Sequence, residues 1–133
     1  FGPLSSIASG GELARFSLAL KVALASEAST ATLVFDEVDQ GVGGATADAV
    51  GRRLKVLSQS AQILTVTHSP QVAARADAHW RIAKSDRADG TTRTSVTILE
   101  TNEREEEIAR MLSGAEITLE ARAAARILVG MAP

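Results

Sequence analysis

Two acidic residues and a histidine stand where short apolar runs end. Ala31-Thr32-Leu33-Val34-Phe35 stops abruptly at Asp36 and Glu37, and Gln62-Ile63-Leu64-Thr65-Val66-Thr67 stops at His68. Apolar runs of this length read as buried strands of a parallel sheet, and ligands of open parallel sheets sit beyond the carboxyl ends of the strands. The three polar groups therefore fall on one edge of the sheet. A carboxylate at a strand end suits Mg²⁺, a hard cation that takes oxygen ligands and keeps several waters when it bridges to phosphate, and Asp36 takes that role. Glu37, where the chain is turning, is placed to orient or deprotonate an attacking water. His68 is placed to hydrogen-bond a transferring phosphoryl oxygen where charge accumulates. Taken without context, Asp36 and Glu37 are equally a pair of solvated turn acids, and His68 a capping or packing residue ahead of a helix. His79 has no acidic partner in a motif and takes no role.

A further candidate is Ser9-Gly10-Gly11-Glu12. Ser9 and Glu12 have the S-x-x-E spacing of a capping box, yet each glycine in a helix costs about 1 kcal/mol relative to alanine. Bare backbone at a helix N-terminus offers free N–H groups and the positive end of the dipole, which together attract anions. Glycine lets a phosphate approach that backbone closely because no Cβ intervenes. Ser9, Gly10, Gly11 and Glu12 thus form a candidate phosphate site, with a plain helix cap as the alternative. A glycine-rich loop ending in Gly-Lys-Ser/Thr, which would cradle the β- and γ-phosphates, is not encoded, because Lys21, Lys55 and Lys84 each follow a residue other than glycine.

These groups need a scaffold, and hydropathy patterning supplies one. Leu13, Phe16, Leu20, Ala23 and Leu24 recur at helical spacing and predict an amphipathic helix from 12 to about 28. After the first strand, Gly41, Gly43 and Gly44 make a flexible loop. A second helix follows with Val50, Leu54 and Leu57 on one face and Arg52, Arg53 and Lys55 largely off it. Ser69 and Pro70 read as a helix start, a hydroxyl cap followed by proline at the first helical position. Residues 79–84 and 94–100 alternate as strands with Asp89-Gly90 between them, predicting an antiparallel hairpin. Helices over 103–112 and 117–129 close the chain, separated by Ser113-Gly114. This order of elements is α/β.

Bulk composition narrows the function classes. The 133 residues are 45% hydrophobic and 23% charged, ordinary for one globular domain. With 14 basic and 16 acidic side chains, the net charge of −2 gives no overall footprint for nucleic acid. Arg15, Arg52 and Arg53 are either solvated helix faces or local DNA contacts. The chain has no cysteine, so disulfides and thiolate metal sites are excluded. No apolar run approaches a membrane span and the N-terminus is not a secretory signal, so a cytoplasmic location is expected. A start at Phe1 leads us to expect a missing upstream segment.

Taken in order, these motifs resemble those of an ABC-type ATPase head. Ser9-Gly10-Gly11-Glu12 resembles the signature motif, and Leu33-Val34-Phe35-Asp36-Glu37 the Walker B strand with its catalytic glutamate. Val38-Asp39-Gln40 resembles the D-loop, and His68 the switch histidine. The stretches "ASGGELARFSLALKVA", "FDEVDQGVGGATADAVGRRL", "VTHSPQVAARADAHW" and "EEEIARMLSGAEIT" are closer still to the RecN family, SMC-like ABC-type ATPases of bacterial DNA double-strand break repair. Ser69 stands where that family often carries leucine. Glu12 replaces the glutamine common in ABC transporters, which points toward the SMC-like branch.

The resemblance implies that residues 1–133 are the C-terminal part of an ABC-type ATPase head: a mainly parallel sheet flanked by helices, with a C-terminal β-hairpin and two closing helices. The Walker A half would lie elsewhere in the full protein, beyond a long antiparallel coiled coil. ATP and Mg²⁺ would be sandwiched between two heads. Ser9, Gly10 and Gly11 would face the γ-phosphate held by the opposite protomer, Asp36 and Glu37 would serve the nucleotide of their own head, and Asp39 would sit at the dimer seam. The implied function is ATP hydrolysis in double-strand break repair by recombination, in the cytoplasm and at the nucleoid. A catalytically inactive head that binds nucleotide or a partner is the alternative, and a transporter subunit a more distant one. Glu37 and His68 separate the first two, because a scaffold needs neither.

Overall fold

The computed structural model describes residues 32–39, 41–87, 90–114 and 116–130. They fall into two compact units, one ending at Arg75 and the other starting at Ala76, each described by itself. The helix expected over 12–28 lies outside the described residues.

In the first unit, β1 (Thr32–Asp36) pairs in parallel with β2 (Gln62–Val66), in register from Thr32 opposite Gln62 to Asp36 opposite Val66. Helix α1 (Gly44–Leu57) makes the crossover, and the five-residue helix α2 (Pro70–Ala74) follows β2. Ala47, Val50, Leu54 and Leu57 recur at helical spacing on α1 and pack with Phe35, Val38 and Val72 into one core. Burying a side chain such as Phe35, which is completely covered, stabilises by about 1.5–3 kcal/mol. Gly51 lies where α1 meets α2; a Cβ there would stand 3.0 Å from Arg75 Cγ and 3.2 Å from both the Gln71 oxygen and Val72 Cα. Arg75 also reaches Asp48 on α1, its Nη2 lying 2.8 Å from Oδ1.

The strands differ from expectation in one respect. They are not buried on both faces: Leu33, Phe35 and Ile63 turn toward the α1 core, whereas Val34, Leu64 and Val66 remain exposed. Alternation along a strand sends successive side chains to opposite faces, and among the described residues the helices cover one of them. Among the described residues the expected mainly parallel sheet is represented by this one parallel pair.

The second unit opens with the antiparallel hairpin of β3 (His79–Asp86) and β4 (Thr92–Leu99), in register from His79 opposite Leu99 to Asp86 opposite Thr92. Trp80 faces Ile98 and Ile82 faces Val96 across the ladder, and all four side chains are exposed. Helix α3 (Thr101–Ser113) starts before the expected residue 103 because the Glu103 carboxylate reaches back to accept the Glu100 N–H at 2.9 Å. Gly114 ends α3 at φ 78°, a left-handed conformation that costs glycine little. Helix α4 (Leu119–Gly130) packs back on α3, with Ile108, Ala109, Ala121 and Ala125 buried. An Arg122–Glu106 pair at 2.7 Å bridges the two helices at the surface.

Candidate functional site

The end of β1 is shaped by its neighbours in the core. Phe35 and Val38 are both buried in one core, and because an extended strand would send them to opposite faces, the strand conformation must break between them. It does so at Glu37, which takes φ 46° and is the non-glycine residue with positive φ among those described. For an L-residue this conformation costs about 1–2 kcal/mol, and strain of this kind clusters at functional sites. The Glu37 N–H still donates to the Val66 carbonyl at 3.0 Å, carrying the sheet ladder one step past the strand end. Asp36, the last residue of β1, is exposed.

Parallel register brings the end of β2 alongside. His68 Nε2 lies 3.4 Å from Glu37 Oε1, with the imidazole 87% and the carboxylate 43% exposed. An open pair of this kind adds little stability; it leaves both groups accessible to a ligand. Asp39, in the turn after Glu37, is 8% exposed and accepts a hydrogen bond from Thr67 Oγ1 at 2.5 Å. The Ser69 N–H donates to that same Thr67 oxygen at 2.9 Å.

Asp36, Glu37, Asp39 and His68 thus occupy one end of the parallel pair, with Glu37 and His68 in contact and Asp39 joined to the His68 segment through Thr67. Ser9, Gly10, Gly11 and Glu12 lie outside the described residues, as does Arg15. Arg52 on α1 pairs with Asp48 one turn earlier, and Arg53 is exposed. Ser69 precedes α2 with Pro70 in its first turn, but its hydroxyl donates to Gln71 Oε1 at 2.9 Å rather than capping the helix.

Thr67 carries no signal of its own in the sequence, which makes it the last residue of an apolar run. In the structure β2 ends at Val66, and the Thr67 hydroxyl is committed to Asp39 and Ser69. His79, which has no acidic partner in a motif, is influenced in the fold by Glu107 of α3. Burial lowers its pKa, Glu107 raises it in part, and Arg104 lowers it. Glu107 itself is buried and held by Arg110, at 2.6 Å.

The donors at the strand ends are oxygens and one imidazole. Among the described residues, no group of three or more His, Asp or Glu side chains gathers to hold a metal. A single strand-end carboxylate fits a cation whose remaining ligands are phosphate oxygens and water, which is the habit of Mg²⁺. Among the described residues no helix is long and apolar enough to cross a membrane.

No family model matches the chain. It is 53% identical over 123 residues to a protein named DNA repair protein RecN from Xylella fastidiosa strain 9a5c, covering 92% of the chain and 22% of that protein. Proteins of the same name from Rickettsia felis and Deinococcus radiodurans are 47% and 51% identical, over 95% and 85% of the chain and 23% and 20% of their own length. The chain therefore spans about a fifth of the length of the relatives it matches. Among solved structures it resembles one from work on the structural biochemistry of ATP-driven dimerisation and DNA-stimulated activation of SMC ATPases. That match has TM-score 0.60 and 24% identity, over 84% of this chain and 66% of the other. It also resembles an Smc head domain with a coiled coil and joint from Pyrococcus yayanosii, with TM-score 0.61 and 28% identity over 77% of this chain and 19% of that one. The chain is thus a homologue of the RecN proteins over most of its length, and its fold is SMC-like.

Proposed function

We propose that this RecN homologue is the C-terminal part of an SMC-like, ABC-type ATPase head that hydrolyses ATP with Mg²⁺ in DNA double-strand break repair by recombination. The observation that carries the reading is the contact between Glu37 and His68 at the open end of the parallel pair.

In this reading ATP is the substrate. Asp36 would hold Mg²⁺ together with phosphate oxygens and water, and the ion would neutralise charge on the transferring phosphoryl group. Glu37 orients the attacking water and takes its proton as the water oxygen bonds to the γ-phosphorus and the bond to the bridging oxygen breaks. His68 hydrogen-bonds the γ-phosphoryl oxygens where negative charge builds. Its exposure suits that task, because a ligand must reach the imidazole from outside the chain.

The reading also assigns partners. The Walker A half of the head comes from another part of the full-length protein, and a second head supplies the other face of the nucleotide. Ser9, Gly10 and Gly11 would face the γ-phosphate held by that second head, with Glu12 completing the signature motif, and Asp39 would lie at the seam; DNA is engaged through the full-length protein. The uncovered apolar side chains Val34, Leu64 and Val66 on the sheet, and Trp80, Ile82, Val96 and Ile98 on the hairpin, support a larger assembly, since exposed apolar patches mark interaction surfaces. A head without turnover needs neither Glu37 nor its contact with His68.

The test is Glu37→Gln in the full-length protein. ATP binding persists, hydrolysis falls by about 10²-fold or more, and ATP-dependent dimers last longer. Hydrolysis at the wild-type rate would falsify the assignment of Glu37.

A further inference from the structure

The Asp39 carboxylate is almost wholly covered, at 8% exposure, and a buried carboxylate is costly unless it is hydrogen-bonded. The partner seen in the structure is the hydroxyl of Thr67, from the segment that follows β2. A threonine hydroxyl has one proton to donate and lone pairs with which to accept. With that proton committed to Asp39, a lone pair accepts the Ser69 N–H at 2.9 Å. The bond from residue 69 back to residue 67 spans His68, forming a hydroxyl turn that constrains the backbone of the intervening residue. The turn at His68 is therefore closed by the residues on either side of it, while its imidazole, 87% exposed, lies beside Glu37.

The geometry points to Thr67 as a positioning residue that sets where His68 stands and ties it to Asp39. The inference rests on the ATPase reading of Glu37 and His68, and it extends that reading by giving the turn after β1 a route to the histidine. A displacement of Asp39 pulls on the Thr67 hydroxyl, the hydroxyl pulls on the Ser69 amide, and the His68 ring moves relative to the Glu37 carboxylate. If Asp39 is engaged by a second head, Thr67 is the link by which that engagement reaches the catalytic pair. Displacement of a reacting group by about 1 Å costs up to ~10²-fold in rate, so a partial loosening is visible in turnover without loss of nucleotide binding.

Thr67→Val in the full-length protein removes the hydroxyl and keeps the shape, and Thr67→Ser keeps the hydroxyl. We expect Thr67→Val to lower kcat about tenfold with the KM for ATP within about twofold, and Thr67→Ser to restore most of the rate. On a His68→Ala background, Thr67→Val costs nothing further, because its effect runs through the missing imidazole. Thr67→Ala repeats the measurement should valine prevent folding, which thermal unfolding of each variant reports. Wild-type kcat in both hydroxyl-free variants overturns the proposal, as does an undiminished tenfold loss on the His68→Ala background. Glu37→Gln, run alongside, separates the two levels: active Glu37→Gln removes the ATPase reading and this proposal with it, whereas inactive Glu37→Gln with unaffected Thr67→Val removes Thr67 alone.

Discussion

His68 Nε2 meets Glu37 Oε1 at 3.4 Å across the ends of two parallel strands. The contact depends on two non-local facts, the register that sets Asp36 opposite Val66 and the left-handed turn at Glu37. In the proposed ATPase the two side chains act together on one phosphoryl group and form a unit. His68→Ala in the full-length protein is therefore expected to lower ATP turnover about 10²-fold while leaving ATP binding intact. Combined with Glu37→Gln it adds little, since residues that act as a unit are not additive. Phosphate release and nucleotide titration of the single and double variants check this; full additivity means that the two side chains act separately.

Ser9→Arg in the full-length protein places a long cation where the proposed seam requires a small hydroxyl. Nucleotide binding to one head persists and ATP-dependent dimers fail to form. Sizing with and without ATP decides it, and dimers of normal stability remove Ser9 from the seam.

Gly51→Leu forces side-chain atoms into the contact between α1 and α2. The first of them, Cβ, already stands 3.2 Å from two backbone atoms, the Gln71 oxygen and Val72 Cα, which cannot swing aside. Overpacking of this kind costs about 1–3 kcal/mol, read as a lower midpoint in urea. An unchanged midpoint shows that α2 moves freely on α1.

The environment of His79 makes stability depend on pH. Burial lowers the pKa of the imidazole, Glu107 opposes the shift and Arg104 adds to it. The unfolded chain takes up a proton near pH 6.5, whereas the folded chain resists it until lower pH. Stability is therefore greatest above about 6.5 and is lost as pH falls through the folded value. Thermal midpoints measured from about pH 7 to 5 fall more steeply for the wild type than for His79→Gln; parallel curves exclude His79 as the source. Glu106, whose pKa is lowered by the hydrogen bond from Arg122, acts in a separate window below its ordinary value of 4.5.

Much of the fold is legible from local pattern. The apolar runs locate β1 and β2, helical spacing locates the buried face of α1, and alternation on either side of Asp89-Gly90 locates the hairpin. The hairpin strands run further toward the turn than expected, to Asp86 and from Thr92, because ladder pairing between the strands continues where apolar alternation stops. The placement of Asp36, Glu37 and His68 at strand ends is legible for the same reason: an apolar run that stops at a charge marks where a strand leaves the core.

What the chain's own order of residues determined was periodicity and punctuation, both properties of neighbours within a few positions. Tertiary structure alone decided the rest. The strand ends at Glu37 in a left-handed turn that lets Phe35 and Val38 share one core, and the partnership of Thr67 with Asp39 follows from strand register. The open face of Val34, Leu64 and Val66 reflects which layers lie against the sheet, and the acidic neighbour of His79 comes from the docking of α3. Each is a contact between segments distant along the chain, where burial and hydrogen bonding, and not local propensity, choose the partner.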